Sequence, residues 1–215
     1  MPIDPDLPLG YGVRGMPEDD DDRAVLLLLH GRGAPADELL GLADAVDPDG
    51  QLAHVAPEAE DHTWYPKSFL APLEENQRAL DRSRAAVNSV LASLGDREIH
   101  LLGFSQGACL ACDTAARHPG RFTTLCPLTG GLIGETLDAY GAPEPGLHAG
   151  LTLRITGGHP DPHVPWARVA DTAGFFEGCG AWVWVHRYPN KPHGICMEEA
   201  ILVRQTLFPP EQEPG

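Results

Sequence analysis

Six short apolar runs punctuate the chain, at 25–29, 52–56, 99–104, 123–128, 151–156 and 181–188, and each reads as a strand. Several show no polar alternation; Val25-Leu26-Leu27-Leu28-Leu29 is apolar at every position. That is the pattern of parallel strands covered on both faces. Between these runs, 36–46, 73–94, 106–117, 164–177 and 197–207 read as helices. In the second, Leu80, Val87, Leu91 and Leu94 recur at helical spacing, opposite a polar side of Glu74, Glu75, Arg78, Asp81 and Arg82. Gly95 follows as a C-terminal cap. Strand–helix alternation predicts a doubly wound, mostly parallel α/β sheet with helices on both faces, as one domain over 1–215. Residues 1–23 and 209–215 are expected to be partly irregular. Two longer loops, 57–72 and 130–150, are rich in proline, glycine and aromatics, and such loops at strand C-terminal ends build the ligand crevice of open α/β sheets.

Composition narrows the function classes. A chain of 215 residues with 42% hydrophobic and 21% charged residues has the make-up of a soluble globular protein. The longest apolar stretch, Ala24 to Leu29, is too short to cross a bilayer, and Met1-Pro2-Ile3-Asp4-Pro5-Asp6 lacks the regions of a secretory signal. The expectation is a cytoplasmic protein, monomer or homodimer, without stable membrane insertion. A net charge of −16 argues against nucleic acid as a partner. Lys67 and Lys191 are the only lysines, and the run Glu18-Asp19-Asp20-Asp21-Asp22 reads as a solvated loop. Five cysteines stand at 109, 112, 126, 179 and 196. Cys109 and Cys112 make a C-x-x-C, open to redox or zinc chemistry, yet no second pair completes a zinc site. Reduced thiols packing a helix are the simpler expectation.

The chemistry starts at Gly103-Phe104-Ser105-Gln106-Gly107, set between the run 99–104 and the helix 106–117. A sharp strand-to-helix turn holds its central serine in a strained conformation, and flanking glycines give it room. The helix N-terminus points its free amides at the same spot. A serine hydroxyl needs a histidine to take its proton and a carboxylate to orient that histidine. Asp161 follows the run 151–156 in Gly157-Gly158-His159-Pro160-Asp161-Pro162-His163, and His193 follows 181–188 in Pro189-Asn190-Lys191-Pro192-His193-Gly194. Both stand after a strand, in the order serine, acid, histidine. Asp138, Asp171, His163 and His186 compete for the same roles with poorer context. An oxyanion hole would draw one amide from Gln106 and a second from the loop His30-Gly31-Arg32-Gly33.

These segments, with Trp64-Tyr65-Pro66 and the histidine shortly before Met197-Glu198-Glu199, resemble the bacterial phospholipase/carboxylesterase family of α/β-hydrolases, which includes acyl-protein thioesterases. The resemblance runs from about 24 to 207. It implies an α/β-hydrolase fold and hydrolysis of carboxylic esters or thioesters without a cofactor or metal, while the segment 130–150 is too short for a large cap domain, which favours small to medium acyl chains. By the resemblance Ser105 is the nucleophile, Asp161 the acid and His193 the base, with the amides of Arg32 and Gln106 as oxyanion hole. One departure stands out: Pro192 occupies the place where relatives usually carry glycine. A proline stiffens that loop, and a displaced imidazole would leave a weak or inactive enzyme, or a protein that binds a ligand without turnover.

Other readings stay open. His159, Asp161 and His163 are metal-ligand types at close spacing, although no fourth ligand is evident. Trp64, Tyr65, Phe69 and Trp166 are candidates to line an acyl pocket, or to pack in the core. The Arg32 side chain could bind a substrate carboxylate or serve structure.

Overall fold

Each expected strand and helix has a counterpart in the computed structural model, which describes residues 10–18 and 21–209. Of the segments 1–23 and 209–215 expected to be partly irregular, residues 1–9, Asp19, Asp20 and 210–215 lie outside the described residues. Seven strands form one sheet in the order β1-β3-β2-β4-β5-β6-β7. They are β1 (Gly12–Arg14), β2 (Val25–Leu29), β3 (Ala53–Glu58), β4 (Ile99–Phe104), β5 (Thr124–Leu128), β6 (Thr152–His159) and β7 (Trp182–Pro189). Only β1 runs antiparallel to its neighbour, with Gly12 opposite Glu58 and Arg14 opposite Ala56. It has three residues and no apolar run, so the hydrophobic pattern left it unmarked.

The helices are α1 (Ala36–Val46), α2 (Leu73–Ser93), α3 (Gln106–Arg117), α4 (Trp166–Gly178) and α5 (Met197–Leu207). Their packing explains the unbroken apolar runs. Along β2, Leu26 and Leu28 face Leu39 and Val46 of α1 and Val203 and Leu207 of α5. Val25, Leu27 and Leu29 face the other layer, with Leu80 and Val87 of α2, Leu110 of α3 and Phe176 of α4. Alternating side chains both meet hydrophobic cover, which is why every position of β2 is apolar. The helix expected from 164 begins two residues later because Pro165 takes the N-cap, and the backbone before it is spent on a turn around Asp161. Strand β6 runs on to His159, which carries that turn to the edge of the crevice.

Candidate active site

Backbone sterics fix the position of Ser105. Ser105 sits at φ 52°, ψ −114°, between β4 and α3. A β-carbon on Gly107 would lie 1.9 Å from the Leu29 carbonyl oxygen and 2.5 Å from that of His30. One on Gly103 would lie 2.4 Å from the Gly107 carbonyl oxygen. Both contacts are backbone against backbone, so nothing can swing aside, and the turn closes only with glycine on both sides. The half-buried serine is tied down by its own N–H, which donates to the Leu128 carbonyl at 3.0 Å.

Three residues distant in sequence meet at this point. Ser105 Oγ lies 2.9 Å from His193 Nε2, and His193 Nδ1 lies 2.9 Å from Asp161 Oδ2. An ionised carboxylate only accepts, so Nδ1 carries the proton and Nε2 is left with a lone pair facing the serine hydroxyl. The Asp161 side chain is fully buried. Burial pushes its pKa up, but the backbone N–H groups of His163 and Val164, both 2.8 Å from Oδ1, and the His193 ring outweigh it, so the net shift is downward. Pro192 is exposed and leaves the imidazole within reach of the alcohol. The competing residues stand elsewhere or do other things. Asp138 bonds Thr136, Asp171 is exposed on α4, and His186 accepts from Arg154. The His163 ring meets that of His193 edge-on, with centroids 4.8 Å apart.

The amides of Arg32 and Gln106 donate no hydrogen bond among the described residues, although the loops that carry them are heavily braced. The buried His30 ring accepts from the Ala59 N–H at Nε2 (3.0 Å), which leaves Nδ1–H to donate to the Gly31 carbonyl at 2.7 Å. Burial lowers its pKa, so the ring stays neutral in that tautomer. Trp64 Nε1 donates to the His30 carbonyl at 2.8 Å while its indole stacks on the His30 ring. The Gln106 side chain accepts from the Trp64 N–H at 3.0 Å and donates to the Tyr65 carbonyl at 2.7 Å. Nothing in the sequence pattern pointed to this clamp beyond the glutamine's place after the serine.

On the His193 side, the brace is an ion pair. Lys191 and Glu199 are buried, with Nζ 2.9 Å from Oε2. Lys191 also donates to the Gly194 carbonyl and to Thr129 Oγ1, whereas Glu199 accepts from Thr156 Oγ1 and the Cys196 N–H. The pair straddles His193 in sequence and ties its loop to β6, to the end of β5 and to the first turn of α5. Sequence reasoning passed over Lys191; its rarity among the cations was the available signal.

Ser105 and His193 open on a cavity of about 510 Å³ with Tyr65, Phe69, Cys109 and Val164 as its apolar part. Trp64 and Trp166, candidates for this pocket, do not line it. Trp64 is spent bracing His30, and Trp166 packs against Gly157 beneath the Arg187 guanidinium. Arg32 does line it, with Nη1 and Nη2 each 2.7 Å from the carbonyls of Pro66 and Lys67. Burial pushes the Cys109 thiol up to about 12, which rules it out as a thiolate nucleophile near neutral pH. All five cysteines are free.

No family model matches the chain. A solved phospholipase/carboxylesterase from Dyadobacter fermentans is 35% identical, over 92% of this chain and 95% of that one, with a TM-score of 0.81. Two further solved structures share the fold at lower identity. The Bacillus cereus carboxylesterase is 20% identical over 91% and 92% of the two chains, TM-score 0.71. A Zea mays acyl-protein thioesterase 2 is 19% identical over 92% and 96%, TM-score 0.65. A curated Nocardia uniformis protein, NocK, named as a candidate esterase, is 31% identical over 125 residues; the match spans 55% of this chain and 36% of that protein. With more than a third of its residues shared along almost the entire length of the Dyadobacter protein, this chain belongs to the phospholipase/carboxylesterase family of α/β-hydrolases.

Proposed function

We propose that the protein is a serine hydrolase of carboxylic esters or thioesters with small to medium acyl chains. The observation that carries this reading is the unbroken relay from Ser105 Oγ through His193 to Asp161, two contacts of 2.9 Å each. Ser105 Oγ attacks the substrate carbonyl carbon as its proton passes to His193 Nε2, and Asp161 stabilises the resulting imidazolium without taking the proton. Charge develops on the carbonyl oxygen, where the unengaged amides of Arg32 and Gln106 are the donors. The bond to the alcohol or thiol breaks as His193 returns the proton to it, which leaves an acyl-serine. Water then repeats the sequence, with His193 first as base and then as acid, and releases the carboxylic acid and free Ser105. The residues provide every proton transfer, and the reading calls for no cofactor.

The cavity supports the acyl size in this reading. About 510 Å³, shared between acyl and leaving groups, suits short and medium chains. The test is the rate on 4-nitrophenyl esters of increasing chain length, with thioesters alongside. Ser105→Ala should lower kcat by about 10⁶ while the protein keeps its melting temperature to within a few degrees. A folded Ser105→Ala protein with more than a hundredth of the parent activity would remove Ser105 from the mechanism.

A further inference from the structure

Among the described residues that line the cavity beside Ser105 there is no aspartate and no glutamate, in a chain with 31 acidic and 15 basic residues. Two of the cations stand there instead, Arg32 and Lys67, both exposed. Several other guanidinium groups meet carboxylates, as in Arg23–Asp21 at 2.7 Å and Arg84–Asp113 at 2.8 Å. Among the described residues, neither Arg32 nor Lys67 forms an ion pair. The Arg32 guanidinium is nonetheless held in place by two neutral acceptors, the carbonyls of Pro66 and Lys67. Its direction is fixed and its charge is left uncompensated.

A second observation comes from inside the cavity. Tyr65 lines it and is 1% exposed; among the described residues its buried hydroxyl hydrogen-bonds no oxygen or nitrogen and meets only the Cys109 thiol, a weak partner. Buried hydroxyls left with only a weak partner are uncommon, and one that lines a cavity can take a stronger acceptor from a ligand. Arginine and lysine only donate, and the tyrosine hydroxyl has its proton to give. Three donors, two of them charged, call for an oxygen-rich acceptor. The net charge of −16 does not cancel this local field, because at physiological salt exposed charges beyond about 8 Å are largely screened.

From this we infer that the substrate carries an anionic oxygen group, a carboxylate or a phosphate, held by Arg32, Lys67 and the Tyr65 hydroxyl in the cavity that opens on Ser105. The inference rests on the hydrolase reading above and adds a substrate class to it. The anion can belong to the acyl chain or to the leaving group, and paired esters separate the two. Mono-4-nitrophenyl glutarate puts a carboxylate on the acyl side and 4-(butyryloxy)benzoate puts one on the leaving group; each is compared with its methyl-capped neutral counterpart.

At low salt, kcat/KM for one anionic ester should exceed that of its neutral counterpart by about tenfold or more, the range of a hydrogen bond to a charged group. That ratio should fall toward one in Lys67→Met, in Tyr65→Phe and as NaCl rises to 1 M. Tyr65→Phe keeps the ring and removes only the hydroxyl, which gives up no more than the weak Cys109 contact, so it folds. Equal rates within both pairs, or a preference untouched by both substitutions, would overturn the inference and leave the hydrolase reading standing. Turnover of no ester would instead count against the hydrolase reading. In that case glutarate, 4-hydroxybenzoate and inorganic phosphate titrated into Ser105→Ala decide the matter. Saturable binding weakened about tenfold by Lys67→Met supports the anion site, and no binding of any of the three overturns it.

Discussion

The two halves of the site reach similar contact geometry by opposite means. On the nucleophile side, position is a matter of backbone volume: Gly103 and Gly107 let β4, α3 and the end of β2 approach closer than any side chain would permit. On the base side, His193 hangs from a loop of ordinary backbone secured by side chains, with Lys191 and Glu199 on either side of it. Steric control leaves little room for a substitution, whereas an ion pair is one of several ways to hold a loop. The nucleophile half is accordingly written in the sequence as a rigid motif, and the base half is not.

The largest effect should come from Gly107→Ala. The added methyl meets backbone at 1.9 Å, so β4 and α3 must part and the protein should lose both its activity and its cooperative melting. A folded and active Gly107→Ala protein, seen by circular dichroism and an ester assay, would refute steric control.

Asp161→Asn should lower kcat by about 10⁴, because an amide at that place favours the wrong tautomer of His193. The cause is orientation, so KM should move little. A loss below about tenfold would mean that something other than Asp161 sets the imidazole.

Lys191→Met tests the base side. It leaves the Glu199 carboxylate buried without its cation, a defect that typically costs about 3–5 kcal/mol, and Lys191→Met/Glu199→Gln should recover much of that. A positioning role predicts that kcat falls with KM nearly unchanged, even at temperatures where Lys191→Met is fully folded. Arg84→Met supplies the contrast. It breaks a comparable pair with the buried Asp113, between α2 and α3, and should lower the melting temperature without changing kcat. Equal kcat losses in the two variants would erase the distinction.

The smallest effect concerns acid. Burial holds the pKa values of His30, His100 and His148 below the ordinary histidine value near 6.5. As pH drops below about 6.5, the unfolded chain takes up protons at these rings before the folded one does. Stability is therefore full above that value and declines as pH falls toward the depressed folded values. Asp161, Asp113 and Asp47 have lowered folded values, so their contributions persist until pH falls below the ordinary aspartate value of 3.8. Melting temperatures from pH 8 to pH 3 should show two stages of decline, the first softened in His30→Gln. A flat profile between pH 7 and pH 5 would contradict the histidine account.

How much was legible in advance follows the same division. Unbroken apolar runs such as Val25–Leu29 marked the parallel strands, since cover on both faces favours apolar side chains at successive positions. The three-residue β1 carried no such signal. That Ser105, Asp161 and His193 come together was readable because each follows a strand in a fixed order. Trp64 misled because an aromatic in a proline-bounded loop has the same letter code whether it lines a pocket or, as here, hydrogen-bonds the His30 carbonyl from the core. Lys191 and Glu199 stayed hidden because pairing of charges eight residues apart depends on where β7 ends and α5 starts.

The relay through His193 is tested most directly by a fluorophosphonate probe followed by intact-mass and peptide mass spectrometry. One adduct, located on Ser105, formed rapidly by the parent protein and not at all by Ser105→Ala, is the predicted result, with Lys191→Met labelled more slowly. A folded parent protein that takes up no probe, or takes it up at another residue, would contradict it.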